Sequence, residues 1–236
     1  MDFANENVKY PCGIDVRDLI CLEDAMEEYN LGPNGGILYC AEFLLTNLQW
    51  LSDSLEKQLL QKKCNYFIFD LPGQVELYSN HNAIKEIIKK LEKEHNFRFV
   101  AVHLVDISYL YDRYRFLSAM MLSLTSLVGM EIPLINLITK IDLLSTMGKP
   151  DMNLMFYNGT TSGLKYMFFN EYDQADEAKK LEKTKTKKPN FSDRFAKLTQ
   201  SLCELLENYS QVSFTMVDIT DRMSMTHAIL QFDKAN

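Results

Sequence analysis

Asp70, Gly73 and Gln74 stand together in the run Tyr66-Phe-Ile-Phe-Asp-Leu-Pro-Gly-Gln-Val-Glu-Leu-Tyr78. A carboxylate that ends an apolar, aromatic stretch and is followed at once by Pro-Gly has the pattern of a polar group at the tip of a buried strand. There, Asp70 could hold Mg²⁺ directly or through water, the Gly73 backbone N–H could approach a terminal phosphate, and Gln74 could orient an attacking water. The plain alternative is a strand followed by an ordinary Pro-Gly turn.

Side chains of this kind need elements to carry them. Continuous apolar runs predict strands at 66–70, 99–106, 133–139 and 212–217, and each ends at polar groups: Asp70, Asp106, Thr139 to Asp142, and Asp218. Between them the spacing is helical. Asp15 reads as the cap of a helix with Val16, Leu19, Ile20 and Met26 on one side. After the turn-rich Leu31-Gly-Pro-Asn-Gly-Gly36, one long helix would carry Ile37, Ala41, Leu44, Leu48, Leu51 and Leu55, a stripe suited to packing on the chain's own sheet or to a coiled-coil partner. Further helices are expected at 83–94 and 115–129, from a Ser192 cap with Phe195, Leu198, Leu202, Leu205 and Tyr209 inward, and at 224–232. His103 lies inside an apolar run and reads as a core histidine rather than a ligand. The pattern predicts an α/β fold, a mostly parallel sheet with helices on both faces, in a single domain over 1–236 with an irregular insertion at about 146–190. Ligands of such sheets bind beyond the carboxyl ends of the strands, where the polar groups cluster.

Composition narrows the setting. With 25 basic and 32 acidic residues the net charge is −7, which disfavours a nonspecific nucleic-acid or anionic-membrane binder. The five cysteines show no C-x-x-C or zinc spacing, so reduced thiols, mostly core fillers, are expected. No apolar run reaches the ~18 residues of a membrane span and none at the start has signal-peptide form, so a soluble protein of the cytoplasm is the expectation, with shuttling to the nucleus.

Thr139-Lys140-Ile141-Asp142 resembles the base-reading Asn/Thr-Lys-x-Asp element of GTP-binding proteins. Its carboxylate can accept both the ring N–H and the exocyclic amine of guanine while the lysine stem lies against the purine face; adenine has no such donor pair. With Gly32-Pro33-Asn34 and Asp70-Leu-Pro-Gly-Gln74 added, the chain resembles the GPN-loop GTPases, most of all their eukaryotic GPN-loop GTPase 2 branch. Asn5-Glu-Asn7, Asp15-Val-Arg-Asp-Leu-Ile20, Val102-His-Leu-Val-Asp106 and Asn136 to Leu143 carry the likeness further, over nearly everything but the insertion. The resemblance implies a phosphate-loop NTPase-like fold that binds GTP or GDP with Mg²⁺. Asp70 would hold the ion through water with Asp2 nearby, Gly73 would meet the γ-phosphate, and Gln74 would position the hydrolytic water. Thr139, Lys140 and Asp142 would bind guanine under the Asp218-Ile219 loop. Gly32, Pro33 and Asn34 would reach the active site of a partner in a homodimer or heterodimer, Asn34 acting in trans. It also implies a role in assembling and importing RNA polymerase II, and III, through polymerase subunits or assembly factors, with no direct contact to nucleic acid or membrane.

One motif departs from that pattern. No G-x-x-x-x-G-K-[ST] occurs in the chain, although this loop supplies the amides, lysine and hydroxyl that cradle phosphates and Mg²⁺. The expectation is a sequence lacking the first, central strand and the phosphate loop, with weak GTP binding and negligible hydrolysis on its own. Two rivals follow: a nonenzymatic dimerisation or scaffold protein that has lost its phosphate loop, and an ATPase of the related deviant-Walker group, which Asp142 disfavours.

Overall fold

The computed structural model describes residues 1–5, 10–62, 66–148, 154, 164, 168, 191–209 and 212–235. Almost all of the expected insertion, with its lysine-rich run, and Cys64 lie outside the described residues. The chain divides into two compact units, Met1–Phe99 with Gly129–Glu131, and Val100–Val128 with Ile132–Asn236.

The second unit carries the sheet. Strands β1 (Ala101–Asp106), β2 (Leu134–Thr139) and β3 (Phe214–Met216) run parallel in the order β1-β2-β3. Asp106 pairs with Thr139, and Ile138 with Met216. One face is covered along all three strands and the other over β2 and β3, while Val102 and Leu104 of β1 stand 39% and 62% exposed despite the continuous apolar run. On one face Val105, Ile138 and Phe214 pack with Phe116, Met120 and Leu124 of α6 (Arg113–Met130) and with Cys203 and Leu206 of α8 (Phe191–Asn208). On the other, Leu137 and Val217 meet Ala228 of α9 (Arg222–Ala235). A short helix, α7 (Leu144–Met147), follows β2. Polar atoms inside this core are satisfied. Asn136, 2% exposed, accepts at Oδ1 from Ser123 and, at 3.2 Å, from His103 Nδ1, and donates to Ser213 O at 3.2 Å. Since the amide oxygen only accepts, Nδ1 of His103 carries the proton, and burial holds the ring's pKa below its usual value. His103 is thus the core histidine expected.

The first unit is helical: α1 (Leu22–Tyr29), α2 (Pro33–Thr46), α3 (Leu48–Lys62), α4 (Glu76–Ser79) and α5 (Ala83–His95). Its core joins Leu44 and Leu55 with Leu77, Ile84, Ile87 and Leu91. Gly36 allows α1 and α2 to close, because a Cβ there would stand 2.8 Å from Leu22 Cδ1. Asn30 and Asn96 end α1 and α5 in the left-handed region that asparagine tolerates.

Four expectations need correction. The segment 66–70 forms no strand among the described residues, although its side chains alternate; Phe67 and Phe69 face the rings of Phe97 and Phe99 at 5.5 and 5.6 Å while Ile68 is 88% exposed. The helix expected from Asp15 is broken: Asp15 caps only a 3₁₀ turn, Val16–Asp18, with its carboxylate drawn to Arg17, and α1 starts at Leu22. The long stripe from Ile37 to Leu55 spans two helices, because the Asn47 side chain turns back onto Phe43 O at 2.9 Å; the stripe is buried, and the main neighbours of α2 are helices α1 and α5. Finally, α8 starts at Phe191, ahead of the expected cap at Ser192, and buries Thr199, Cys203 and Leu206, leaving Phe195, Leu198 and Tyr209 exposed. Its inward face is rotated from the row that hydrophobicity alone picks out.

Candidate functional site

Gly32, Pro33 and Asn34 form the first turn of α2. Gly32 is the N-cap, with φ −74° and ψ 168°, and Pro33 takes the position where a missing N–H costs nothing. Asn34 is exposed, and its Oδ1 accepts from Gln74 Nε2 of the same chain at 2.7 Å. Among the described residues this leaves Gln74 Oε1 free to accept. The loop that carries Gln74 is pinned by Tyr78, whose hydroxyl donates to Pro72 O. Gly73 is exposed, with open space for 4 Å where a side chain would stand, so a ligand can approach its backbone.

Asp70 is exposed at the end of the extended segment and accepts at Oδ2 from Tyr10 Oη at 2.6 Å. That bond, with Asp70's charge, pushes the Tyr10 hydroxyl up to about 12. Asp2 closes a small turn, accepting from Ala4 N at 3.0 Å. Burial raises the Tyr78 hydroxyl, and the charges of Asp2 and Asp70 raise it further, so both carboxylates act on one phenol. Mg²⁺ takes one or two carboxylates and keeps much of its water. The donor set here suits that habit: among the described residues Asp70 Oδ1 is uncommitted, Asp2 acts on the same phenol, and no cluster of three or more direct ligands occurs.

In the second unit three loops leave the carboxyl ends of adjacent parallel strands. After Thr139, whose hydroxyl donates to Val105 O at 3.3 Å, Lys140 takes a left-handed backbone (φ 63°, ψ 35°) and opens a 3₁₀ turn over Ile141–Leu143. Asp142 in that turn is exposed, and its carboxylate has no hydrogen bond or ion pair among the described residues. Lys140 Nζ instead meets Asp106 Oδ2 at 2.7 Å, and Asp106 Oδ1 accepts from Ser108 N at 2.8 Å. Held by Lys140 first and Ser108 second, the Asp106 carboxyl drops to about 2, while the Lys140 ammonium is raised by Asp106. Beyond β3, Asp218 accepts from Thr220 N and Oγ1 at 2.8 and 2.6 Å, which lowers its carboxyl, and Ser224 Oγ accepts from Asp218 N at 3.0 Å. Ile219 stands out of that turn, 68% exposed.

Gln74 therefore meets Asn34, Asp70 and Asp2 act on the same phenol, and Thr139 to Asp142 stand on the strand between those that lead to Asp106 and Asp218. Sequence reasoning passed over Tyr10 and found Asp106 without its partner. Tyr10, the partner of Asp70, lies in a stretch without periodicity, and nothing in its surroundings marks it. Asp106 had a signal, a carboxylate at a strand end one strand before Lys140, but its role as the lysine's counter-ion needed the register.

The comparisons bear on what this geometry serves. A family model described as "conserved hypothetical ATP binding protein" matches residues 1–236. The chain is 40% identical over 236 residues to GPN-loop GTPase 2 of Danio rerio, covering 100% of this chain and 69% of that protein. To the GPN-loop GTPase QQT1 of Arabidopsis thaliana it is 39% identical over 236 residues, covering 100% and 73%. In fold it is similar to the apo crystal structure of a GTPase from Pyrococcus abyssi, with a TM-score of 0.64 at 17% identity over 100% of this chain and 83% of that one. The likeness is to a phosphate-loop α/β fold.

Proposed function

The chain belongs to the GPN-loop GTPase family, and from that premise we propose that it binds GTP and GDP with Mg²⁺ and serves, as a dimer, as a GTP-dependent assembly switch. The observation that carries the reading is the uncommitted, exposed carboxylate of Asp142 next to Lys140, beyond the carboxyl end of β2. It can accept the two neighbouring donors of guanine, which adenine lacks, so the base chosen is guanine despite the ATP in the family model's description.

Asp142 accepts from the base, the Lys140 stem covers one purine face, and Thr139 with the Asp218-Ile219 turn borders the pocket. Asp70 and Asp2 would hold Mg²⁺ through water; the ion would neutralise charge on the phosphates. Gly73 offers its N–H to the terminal phosphate. Gln74 accepts from the attacking water at Oε1 while Asn34 fixes its other end. In a dimer, Gly32, Pro33 and Asn34 stand at an exposed helix start from which a partner's phosphates could be met; family resemblance supports this trans role, as it supports RNA polymerase as the client.

Without a Gly-Lys phosphate cradle among its residues, the chain binds weakly and hydrolyses slowly. Titration with a fluorescent GDP, followed by competition with GTP and ATP, tests the reading. GTP should displace the probe and ATP should not, and Asp142→Ala should erase the difference. Equal displacement by both nucleotides would refute guanine selection, and no binding of either would favour a scaffold.

A further inference from the structure

Among the described residues Lys140 has two carboxylates within electrostatic reach, Asp106 and Asp142, and it is bonded to Asp106 alone. Asp142 is two residues along the chain in the same turn, and nothing else among the described residues occupies it. A lysine resting on Asp142 would take the lone pairs that a guanine must use. Asp106 is the better partner because it is already oriented: Ser108 N–H holds Oδ1 at 2.8 Å, and its strand is in register with Thr139, directly before the lysine. Asp142 has no such anchor, so pairing with it would immobilise two free side chains where pairing with Asp106 immobilises one. Lys140 makes this choice from a left-handed backbone, unusual for a residue with a long side chain.

We propose that Asp106 is a positioning residue for base selection: it diverts the Lys140 ammonium from Asp142 and so keeps the base-reading carboxylate unpaired. The proposal rests on the reading of Asp142 as the guanine acceptor. Its chemistry is competition, in which one cation can neutralise only one of two neighbouring anions, and the sheet register decides which.

The test uses four forms of the full chain: wild type, Asp106→Asn, Lys140→Met, and the double variant. Asparagine retains an acceptor for Ser108 N–H, so the turn after β1 persists, and circular dichroism checks each fold. Carboxyl-carbon NMR follows the Asp142 titration without any nucleotide. In Asp106→Asn its midpoint should fall as the ammonium moves onto it, and in the double variant it should return to the Lys140→Met position. Fluorescent GDP should bind Asp106→Asn about fivefold more weakly than wild type, the scale of one exposed ion pair. The double variant should bind like Lys140→Met, because methionine keeps the stem and removes the competing charge. An Asp142 midpoint unchanged by Asp106→Asn overturns the proposal, as does a double variant that binds no better than Asp106→Asn. Wild type showing no preference for GDP over ADP defeats the reading of Asp142 itself, and the positioning role falls with it; the variant series cannot produce that result.

Discussion

Gln74 Nε2 donates to Asn34 Oδ1 at 2.7 Å within one chain, so the residue expected to aim water is held by the residue expected to reach a partner. Orientation of a water-positioning group governs rate more than affinity. Gln74→Ala should therefore lower single-turnover GTP hydrolysis by roughly 10²-fold relative to wild type, with fluorescent GDP affinity changed less than about twofold. Asn34→Ala should produce a smaller loss in the same assay, since it frees the glutamine without removing it. A loss of affinity equal to the loss of rate would contradict the assignment.

Asn136 ties β1, β2, α6 and the approach to β3 through one buried amide. Alanine there would leave Ser123 and His103 without their acceptor, at about 1–3 kcal/mol for each stranded group. Urea denaturation of Asn136→Ala should show a loss of about 3 kcal/mol with an unchanged slope.

A Cβ at Gly129, near the end of α6, would stand 2.6 Å from the Tyr78 carbonyl oxygen, which is main chain and cannot rotate aside. Alanine normally favours a helix over glycine by about 1 kcal/mol. Here the clash should outweigh that gain, and Gly129→Ala should lower the thermal midpoint. At Gly36 the obstructing atoms are side-chain carbons of Leu22 and Met26, so Gly36→Ala should cost less.

Depressed carboxyls make stability depend on acid, Asp106 and Glu131 most strongly, with Asp15 and Asp218 in the same direction. Asp106 is lowered from 3.8 to about 2 by Lys140 and Ser108, and Glu131 from 4.5 to about 2 by Lys85 and Lys89 at 2.6 and 2.7 Å. A depressed carboxyl stabilises the fold above its unfolded value and loses that contribution as pH falls through the folded one. The thermal midpoint should therefore decline between about pH 4 and pH 2, and Glu131→Gln should flatten part of the decline. Because Glu131 is exposed, 1 M salt should remove most of its share.

The strands at 99–106 and 133–139 were readable from continuous apolar runs, in β2 because both faces are packed and in β1 although Val102 and Leu104 stand exposed. The same signal misled at 66–70. Its alternation is that of a strand, but whether a neighbour supplies the hydrogen bonds is not encoded in the segment. The break at Asn47 also escaped, because Ile37 to Leu55 keep helical spacing across it and the competition lies in a single amide. On α8 the hydrophobic row from Phe195 to Tyr209 is outvoted by Thr199, Cys203 and Leu206, which tertiary packing selects. Asp106, Thr139 to Asp142 and Asp218 were legible as polar groups at strand ends. The pairings, Tyr10 with Asp70 and Lys140 with Asp106, belong to register and loop geometry.

Asp70 is carried by a segment anchored through rings: Phe67 and Phe69 lean on Phe97 and Phe99, while Phe67 to Asp70 donate no main-chain hydrogen bond among the described residues. Such a strap keeps its side chains in place yet leaves its peptide protons open to solvent. In deuterium oxide, residues 67–70 should exchange early, at the pace of a loop, whereas the equally apolar β2 should retain its protons until far later.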